Sequence, residues 1–416
     1  MNECQFKKKF DSNNKSLQYK QRIIQHIIYN GPETLPALAQ RLEVSVPTIS
    51  KMVNEMVDTH LLQNFGKLEA ASGRHPFLYG LSDGDYYFIG VDFTVDTTNI
   101  MVMNLRGDQV QEKLSIPFDL VNTQECLDAA CRMINDFIDD ECHFSRDKLV
   151  SIGVNIPGRL NPMTGYSYTY FNFSKISLSK YLSLHVGIPT FIDNDSRASA
   201  FGEYMTHYKD SGKNLLFVQC TWGLGLGIII NGEPYAGKSG FSGEVGHTHA
   251  YSNEVICHCG KKGCLETEVS GSAIHRKFIE KIKTGAKSIL TDPNHPNGCK
   301  DINHITLNDI VQAVLLEDIL CIEIIEEMGK KLGLHIANLI NLLNPDIVVI
   351  GGPLARTGDY LLQPIRTTIR KYSLNMVNQD TDLKQSLLMR YAGVMGAAML
   401  ARKKSIEALT YKDNCD

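Results

Sequence analysis

One short stretch of this chain gathers three cysteines and a histidine in the order His-x9-Cys-x-Cys-x4-Cys. These residues are His247, Cys257, Cys259 and Cys264. Three thiolates and an imidazole supply the four ligands with which proteins hold a structural Zn²⁺ in a closed tetrahedral site. Gly260 and Gly263 would let the chain turn tightly enough for the ligands to converge. The stretch therefore predicts a zinc-binding loop.

The alternatives for these cysteines are buried apolar thiols and disulfides. The chain has 11 cysteines, and its first residues lack the apolar segment of a signal peptide. This favours a reducing cytoplasm, where clustered cysteines are more often metal ligands than disulfides. His249 and His258 are rival ligands, and His247 is preferred because it ends the run Gly-Glu-Val-Gly-His. Glu244 and Glu266 flank the cluster, so we expect the metal to shape a polar site.

The composition is typical of a globular protein. The chain has 416 residues, of which 43% are hydrophobic and 21% are charged, and this length predicts about two to three domains. No apolar run is long enough to cross a bilayer, so we expect a cytoplasmic protein without a membrane partner. The net charge of −4 is uneven, because residues 1–82 contain ten basic and seven acidic side chains. A basic head on an acidic body is compatible with a nucleic-acid-binding head.

The first 82 residues show the pattern of a winged helix-turn-helix. The isoleucines between Ile23 and Ile28 fit one face of a helix. Thr34 and Ser45 are placed to cap a second and a third helix. The third helix would enter the major groove of DNA with its outer face. That face contains Thr48, Ser50, Lys51 and Asn54.

A β-hairpin with a glycine- and serine-rich tip is predicted between Leu62 and Leu81, and it would form the wing. Arg74, next to Gly73, is placed to contact phosphate or the minor groove. Three lysines, Lys7 to Lys9, could add phosphate contacts from an N-terminal arm. The alternative is a helical module for oligomerisation or packing. The combination of helices, caps and wing favours operator DNA as the partner of the head.

Beyond residue 82, apolar strand patterns alternate with helical patterns, which predicts an α/β fold. The strands end in polar or glycine-rich residues, and ligands usually bind at the carboxyl ends of strands in such sheets. One strand ends near Asp92, another at Asn194 and Asp195, and a third runs into Gly351.

The body resembles the ROK family (repressors, open reading frames and kinases), which has the two-lobed sugar-kinase/actin-like fold. The resemblance rests on Gly243–His247 with Cys257–Glu266, Ile156–Gly158, Asp193–Asp195, Gly223–Gly227, Gly351–Pro353 and Gly393–Gly396. It implies a winged helix-turn-helix over 1–82, a first lobe over 83–196 and a second lobe over 197–416. The second lobe would contain the zinc loop, and its C-terminal helix would return to the first lobe. A head before a ROK body resembles the family's repressors, such as the glucose and N-acetylglucosamine repressors.

The resemblance also bears on enzyme activity. ROK kinases carry an Asp-x-Gly-x-Thr phosphate loop, and the matching stretch here runs from Asp92 to Thr97. Thr94 stands at the glycine position and Asp96 near the threonine position, where a carboxylate would repel phosphate. We therefore expect no kinase activity and no catalytic residue. In the alternative, an ATP-dependent sugar kinase with an accessory head, Asp195 would be the general base.

The sugar-binding positions of the family are matched more closely. They are Asn194, Asp195, Glu244, His247 and Glu266. Amides and carboxylates suit the hydroxyls of a sugar, although Asn194 and Asp195 could instead cap a helix and the glutamates could be solvated surface residues. We expect a sugar-responsive DNA-binding regulator, in particular a repressor, that binds a sugar or sugar phosphate, forms a homodimer or homotetramer and holds Zn²⁺. Regulation by a transport protein is left open.

Overall fold

The computed structural model describes residues 14–67, 76–296, 298 and 301–410. The chain forms two compact units. The first unit contains Met1–Ala198 and Gly393–Asp416, and the second contains Ser199–Ala392. Each unit has a five-stranded mixed sheet with helices against it, so the predicted α/β class is confirmed.

The head follows the element order of a winged helix-turn-helix. Its helices are α1 (Asn14–Asn30), α2 (Leu35–Leu42) and α3 (Val46–Asp58), and its strands are β1 (Glu33–Thr34), β2 (Leu62–Lys67) and β3 (Phe77–Leu81). The strands form an antiparallel sheet in the order β1-β3-β2. Ser45 caps α3 by accepting a hydrogen bond of 3.4 Å from the N–H of Thr48. Thr34 occupies the N-cap position of α2, as predicted, but its side chain makes no capping hydrogen bond, and its backbone pairs with Leu78 in the sheet.

The body of the first unit is a sheet in the order β10-β7-β4-β5-β6. Its strands are β4 (Tyr87–Phe93), β5 (Thr97–Asn104), β6 (Gln109–Pro117), β7 (Leu149–Ile156) and β10 (Thr190–Asn194), and a small hairpin is formed by β8 (Leu160–Asn161) and β9 (Tyr166–Ser167). Strands β4, β7 and β10 are parallel. Helices α4 (Gln124–Asp136) and α5 (Leu178–Val186) share an apolar core with this sheet.

The second unit contains a sheet in the order β13-β12-β11-β14-β15. Its strands are β11 (Leu215–Cys220), β12 (Leu224–Ile230), β13 (Glu233–Pro234), β14 (Ile347–Gly351) and β15 (Asp382–Gln385). The helices are α7 (Glu266–Val269), α8 (Gly271–Lys283), α9 (Leu307–Leu315), α10 (Ile319–Leu343), α11 (Asp359–Tyr372) and α12 (Asn375–Asp380). The 25-residue α10 buries one apolar face in the core of this unit.

Two helices span the boundary between the units along the chain. Helix α6 (Asp195–Glu203) begins directly at the end of β10, and α13 (Ala392–Glu407) is the C-terminal helix. From Gly393 onward, α13 belongs to the first unit. Among the described residues, no helix combines the length and the apolar composition that crossing a membrane requires.

Candidate functional site

The predicted zinc ligands converge in the second unit, in the segment between β13 and α7. The Nδ1 atom of His247 lies 3.5 Å from the Sγ of Cys257, and the Sγ atoms of Cys259 and Cys264 are 3.6 Å apart. The four donor atoms all lie within 4.8 Å of one another. In a tetrahedral site with metal–sulfur bonds of about 2.3 Å, neighbouring donors are roughly 3.7 Å apart. This cluster has the donors and the spacing to hold a metal ion.

Two glycines make the turn that brings these ligands together. Gly260 and Gly263 have φ angles of 84° and 74°, in the left-handed region that other residues rarely adopt. A methyl group at Gly263 would also lie 2.1 Å from the carbonyl oxygen of Tyr251. The N–H of Cys257 donates to the Lys261 carbonyl over 2.8 Å, which closes the turn. The loop therefore consists mainly of short turns and contains little regular secondary structure.

The rival histidines occupy different positions. The Nδ1 of His258 lies 2.8 Å from an oxygen of Glu266, and the His258 side chain is 65% exposed. His247, His258 and Glu266 form a second group that could hold a metal. The set with three cysteines fits a closed structural site better, because it supplies four soft or borderline ligands. His249 is in neither group. The contact between His258 and Glu266 could not be predicted from their spacing in the sequence, because it forms only when the loop folds.

The two predicted glutamates differ in their surroundings. Glu266 is buried, and its Oε2 accepts a hydrogen bond of 3.0 Å from the N–H of Leu224. Burial acts to raise the pKa of Glu266, but the hydrogen bonds from His258 and Leu224 outweigh it and keep the pKa below its usual value. Glu244 is partly exposed, and its Oε2 lies 3.7 Å from the Nε2 of His247. Glu266 therefore connects Leu224 at the start of β12 to His258 in the loop that contains the cysteines. Glu244, in contrast, remains partly exposed to solvent.

Asn194 and Asp195 lie in the first unit, where β10 runs into α6. The Oδ1 of Asn194 accepts hydrogen bonds of 3.0 Å from the Ser196 N–H and 3.2 Å from the Arg197 N–H, so Asn194 caps the helix. Its Nδ2 donates to the Gly158 carbonyl and to Asp195. Desolvation raises the pKa of Asp195 to about 6, although hydrogen bonds from Ser196 oppose this shift. Capping by Asn194 thus positions Asp195, a role that the sequence left as an alternative.

Four buried polar side chains occupy one register row across this sheet. This polar row consists of Asn99, Asp92, Asn155 and Asp193, on β5, β4, β7 and β10. Desolvation and the charge of Asp195 raise the pKa of Asp92 to about 7, against the hydrogen bonds of Asn155 and Asn99. Asn155 and Asn99 were not predicted as site residues. Their strands contain other polar residues as well, so the sequence contains no clear signal for them.

The stretch from Asp92 to Thr97 forms a compact turn between β4 and β5. The Oγ1 of Thr94 accepts a hydrogen bond of 3.1 Å from the Thr97 N–H, and the Thr94 N–H donates to the Thr97 carbonyl over 2.8 Å. The hydroxyl of Thr94 also lies 3.1 Å from Asp96, whose side chain is exposed. The threonine at the glycine position thus makes hydrogen bonds within the turn.

The predicted DNA-contacting residues lie on α3. Thr48, Lys51 and Asn54 are exposed, and Ser50 is half-buried. The opposite face of α3 is buried in the head through Ile49, Met52, Val53 and Met56. Arg74 and the lysines from Lys7 to Lys9 lie outside the described residues.

The comparisons with known proteins agree with this fold. The sequence profile of the ROK family matches residues 88–404, well over half of the chain, so the chain belongs to the ROK family. A solved ROK family transcriptional regulator, described as a homologue of the Escherichia coli Mlc protein, superposes with a TM-score of 0.78 at 26% identity. That match covers 96% of this chain and 98% of the regulator.

Two curated relatives differ in how much of the chain they match. The xylose repressor of Bacillus subtilis is 24% identical over 389 residues, which cover 93% of this chain and 96% of the repressor. The glucokinase of Halalkalibacterium halodurans is 31% identical over 326 residues, which cover 77% of this chain and 96% of the glucokinase. The repressor is therefore similar over nearly the whole chain, and the glucokinase over about three quarters of it.

Proposed function

We propose that this protein is a sugar-responsive transcriptional repressor. The observation that carries the proposal is the extent of similarity, since the B. subtilis xylose repressor and the solved ROK regulator match 93% and 96% of the chain, whereas the glucokinase matches 77%. A head with the element order of a winged helix has no role in sugar phosphorylation, whereas a repressor requires one.

The DNA-contacting surface in this proposal is the exposed face of α3. Thr48, Ser50, Lys51 and Asn54 would reach base edges or phosphates, and Arg74 would contact DNA from the wing. Operator DNA can be isolated by repeated selection from a random duplex library, and its affinity measured by fluorescence anisotropy. Lys51→Ala should weaken operator binding about threefold to tenfold. It should also reduce the slope of log affinity against log salt concentration by about one.

The control for this experiment is Lys283→Ala, which removes an exposed lysine from α8 in the second unit. It should leave operator affinity unchanged. Failure to select any duplex, or equal effects of the two lysine variants, would contradict the assignment of α3. A palindromic operator bound by a homodimer or homotetramer is part of the proposal, and light scattering of the protein–DNA complex measures that stoichiometry.

The proposed sugar ligands are Asp195, Glu244 and His247, with Asn194 and Glu266 supporting them. Asn194 and Glu266 already use their side chains in hydrogen bonds within the protein, and we assign them a positioning role. Calorimetric titration with xylose, glucose, N-acetylglucosamine and their phosphates would identify the ligand. Glu244→Gln should weaken binding of that sugar by about tenfold or more, because a carboxylate makes the stronger hydrogen bonds to hydroxyls.

We further propose that the metal is Zn²⁺, held by His247, Cys257, Cys259 and Cys264. Three thiols and an imidazole form a donor set that suits zinc, and the burial of Cys257 and Cys264 suits a structural site. Bound zinc would fix the loop that precedes Glu266, so it would support ligand binding without contacting DNA. We expect a cytoplasmic location, where reduced thiols persist.

A sugar kinase is the second candidate, because the H. halodurans glucokinase has an identity of 31% over nearly its whole length. The raised pKa of Asp195, about 6, would suit a general base. Against it stand Thr94 and the exposed carboxylate of Asp96 in the turn that would have to approach phosphates. A coupled assay with ATP and the identified sugar tests this directly. Turnover that Asp195→Asn abolishes would replace the repressor proposal with the kinase.

A further inference from the structure

The C-terminal helix α13 packs against the first unit through glycines. A methyl group at Gly153 would lie 2.1 Å from the carbonyl oxygen of Ala397, and one at Gly90 would lie 2.1 Å from that of Val394. The backbones of α13, β4 and β7 are therefore in direct contact. Such close packing leaves the helix little freedom to slide independently of the sheet.

The first turn of α13 touches the polar row. The Nδ2 of Asn155 donates to the carbonyl oxygen of Gly393 over 2.7 Å. The carboxylate of Asp92 lies so close to Gly393 that a methyl group there would be 2.4 Å from its Oδ2. Asp195, a proposed ligand residue, begins α6, and α13 packs so closely against α6 that a methyl group at Gly396 would overlap the carbonyl oxygen of Ala198. A change of hydrogen bonding at Asp195 therefore acts on a helix that α13 contacts directly.

The other end of α13 lies in the core of the head. Ile406 is 1% exposed, and Leu409, just beyond the helix, is 4% exposed. Both belong to the apolar cluster that contains Ile23 of α1 and Leu61, next to the wing. The Nε2 of Gln21 on α1 also donates to the carbonyl of Ile406 over 3.1 Å. The head thus shares one hydrophobic core with the C-terminal helix.

Further contacts fix α13 between its two ends. The hydroxyls of Ser151 and Ser405 are 2.7 Å apart, and both residues are buried. The guanidinium of Arg402 is buried and donates to the carbonyl of Leu105 over 2.9 Å. The phenol of Tyr86 donates to the Thr59 carbonyl at the end of α3 over 2.6 Å, which joins the head to β4 as well.

We infer that α13 transmits the structural effect of ligand binding from the polar row to the DNA-binding head. The head is then an integral part of the first unit and not a domain on a flexible linker. A ligand that changes the hydrogen bonding of Asp195 would reposition the first turn of α13. The rigid helix would pass this shift to Ile406 and Leu409, and so to the position of α1 against α3. The signalling part of this inference rests on the proposed function, whereas the shared core does not.

Hydrogen–deuterium exchange of the full-length protein tests the shared core without DNA or sugar. In the wild type, amides in the middle of α1 and α13 should exchange through a common opening. Leu409→Ala should speed exchange in both helices by about tenfold or more, because it leaves a cavity in their joint core. Lys403→Ala, on α13 but only half-buried, should change neither. If α1 opens independently and Leu409→Ala leaves α13 unchanged, the inference is overturned.

The transmission is tested with Gln21→Ala, which removes one hydrogen bond and is expected to fold even if Leu409→Ala does not. Operator and sugar affinities should each stay within about twofold of wild type, while the effect of the identified sugar on operator affinity should fall by about threefold or more. An unchanged sugar effect in Gln21→Ala would refute transmission through α13. A wild type that binds no operator or shows no sugar effect would refute the proposed function, and the exchange result would still decide on the shared core.

Discussion

The two units present candidate ligand residues by different means. In the first unit, Asp195 follows the carboxyl end of the parallel strand β10, in surroundings fixed by register and by a tightly packed helix. In the second unit, Glu244 and His247 lie in a segment of short turns around a cysteine cluster. The first arrangement depends on backbone packing, and the second on short turns, a few charged side chains and the proposed metal ion. Different substitutions should therefore destabilise the two regions.

Loss of a metal ligand should have the largest effect. Cys257→Ser should abolish zinc binding and lower the thermal midpoint of the protein by about 10 °C, because the short turns have little other support. Metal analysis and calorimetry measure both quantities. The matched control is Cys142→Ser, which changes a half-buried cysteine of the first unit. Full zinc content in Cys257→Ser would show that the cluster is not the metal site.

Replacing a closely packed glycine should lower the stability of the first unit, and added zinc should not restore that stability. Gly153→Ala forces a methyl group against the Ala397 carbonyl, and we expect it to reduce the free energy of unfolding by about 2–3 kcal/mol. Gly84→Ala is the control, because no atom lies within 4 Å of a methyl group at that position. Urea denaturation followed by circular dichroism compares the two variants. Equal stabilities would mean that α13 does not depend on close packing.

An ion-pair network supports the second unit next to the metal loop. Lys331 lies 2.7 Å from Glu268 and 2.9 Å from Glu327, and Asn253 of the loop donates to Glu268 over 3.0 Å. Burial acts to raise the pKa of Glu268, but the hydrogen bonds and charges of Lys331 and Lys277 outweigh it and lower the pKa to about 2. Lys331→Met should cost about 1–2 kcal/mol of unfolding free energy, since the network is only partly buried.

The same variant should keep its zinc, because Lys331 is not a ligand. Hydrogen exchange at residues 251–268 should nevertheless become faster. Lys283→Met, which removes an exposed lysine from α8, should match the wild type in both measurements. If Lys331→Met loses zinc, the ion pairs and the metal act as one structural unit.

The smallest predicted effect concerns pH and the polar row. Burial and Asp195 raise the pKa of Asp92 from 3.8 to about 7, so the folded state binds more protons than the unfolded state between these values. Stability from this group is complete at low pH and is lost as the pH rises towards 7. Asp92→Asn removes this dependence, so its stability relative to wild type should rise by about 1 kcal/mol between about pH 5.5 and pH 6.5.

Thermal unfolding at several pH values measures this difference. The control is Asp96→Asn, which changes the exposed carboxylate of the same turn and should show no comparable trend. A stability difference between Asp92→Asn and the wild type that does not vary with pH would show that Asp92 is ionised throughout.

Several helices, the cysteine loop and the family could be predicted from the sequence alone, because the signals for them lie in short stretches of the chain. Apolar periodicity predicts α1 and α3, and Ser45 predicts the start of α3, since each of these signals acts within a few residues. The spacing of His247 and the cysteines limits how the loop can close, and the structure brings their donor atoms together. The ROK motifs likewise predicted the family that the profile match shows.

The tertiary structure alone decided what depends on distant partners. Register across four strands places Asn155 beside Asp92, and no local pattern encodes that register. Thr34 lies at the N-cap position of α2, as its sequence context predicts, but only the structure shows that it also pairs with Leu78 in a sheet and that its side chain does not cap the helix. The burial of Ile406 and Leu409 in the head results from packing between residues nearly 400 positions apart. Local chemistry fixes which elements form, whereas the sharing of a hydrophobic core is settled only when the whole chain folds.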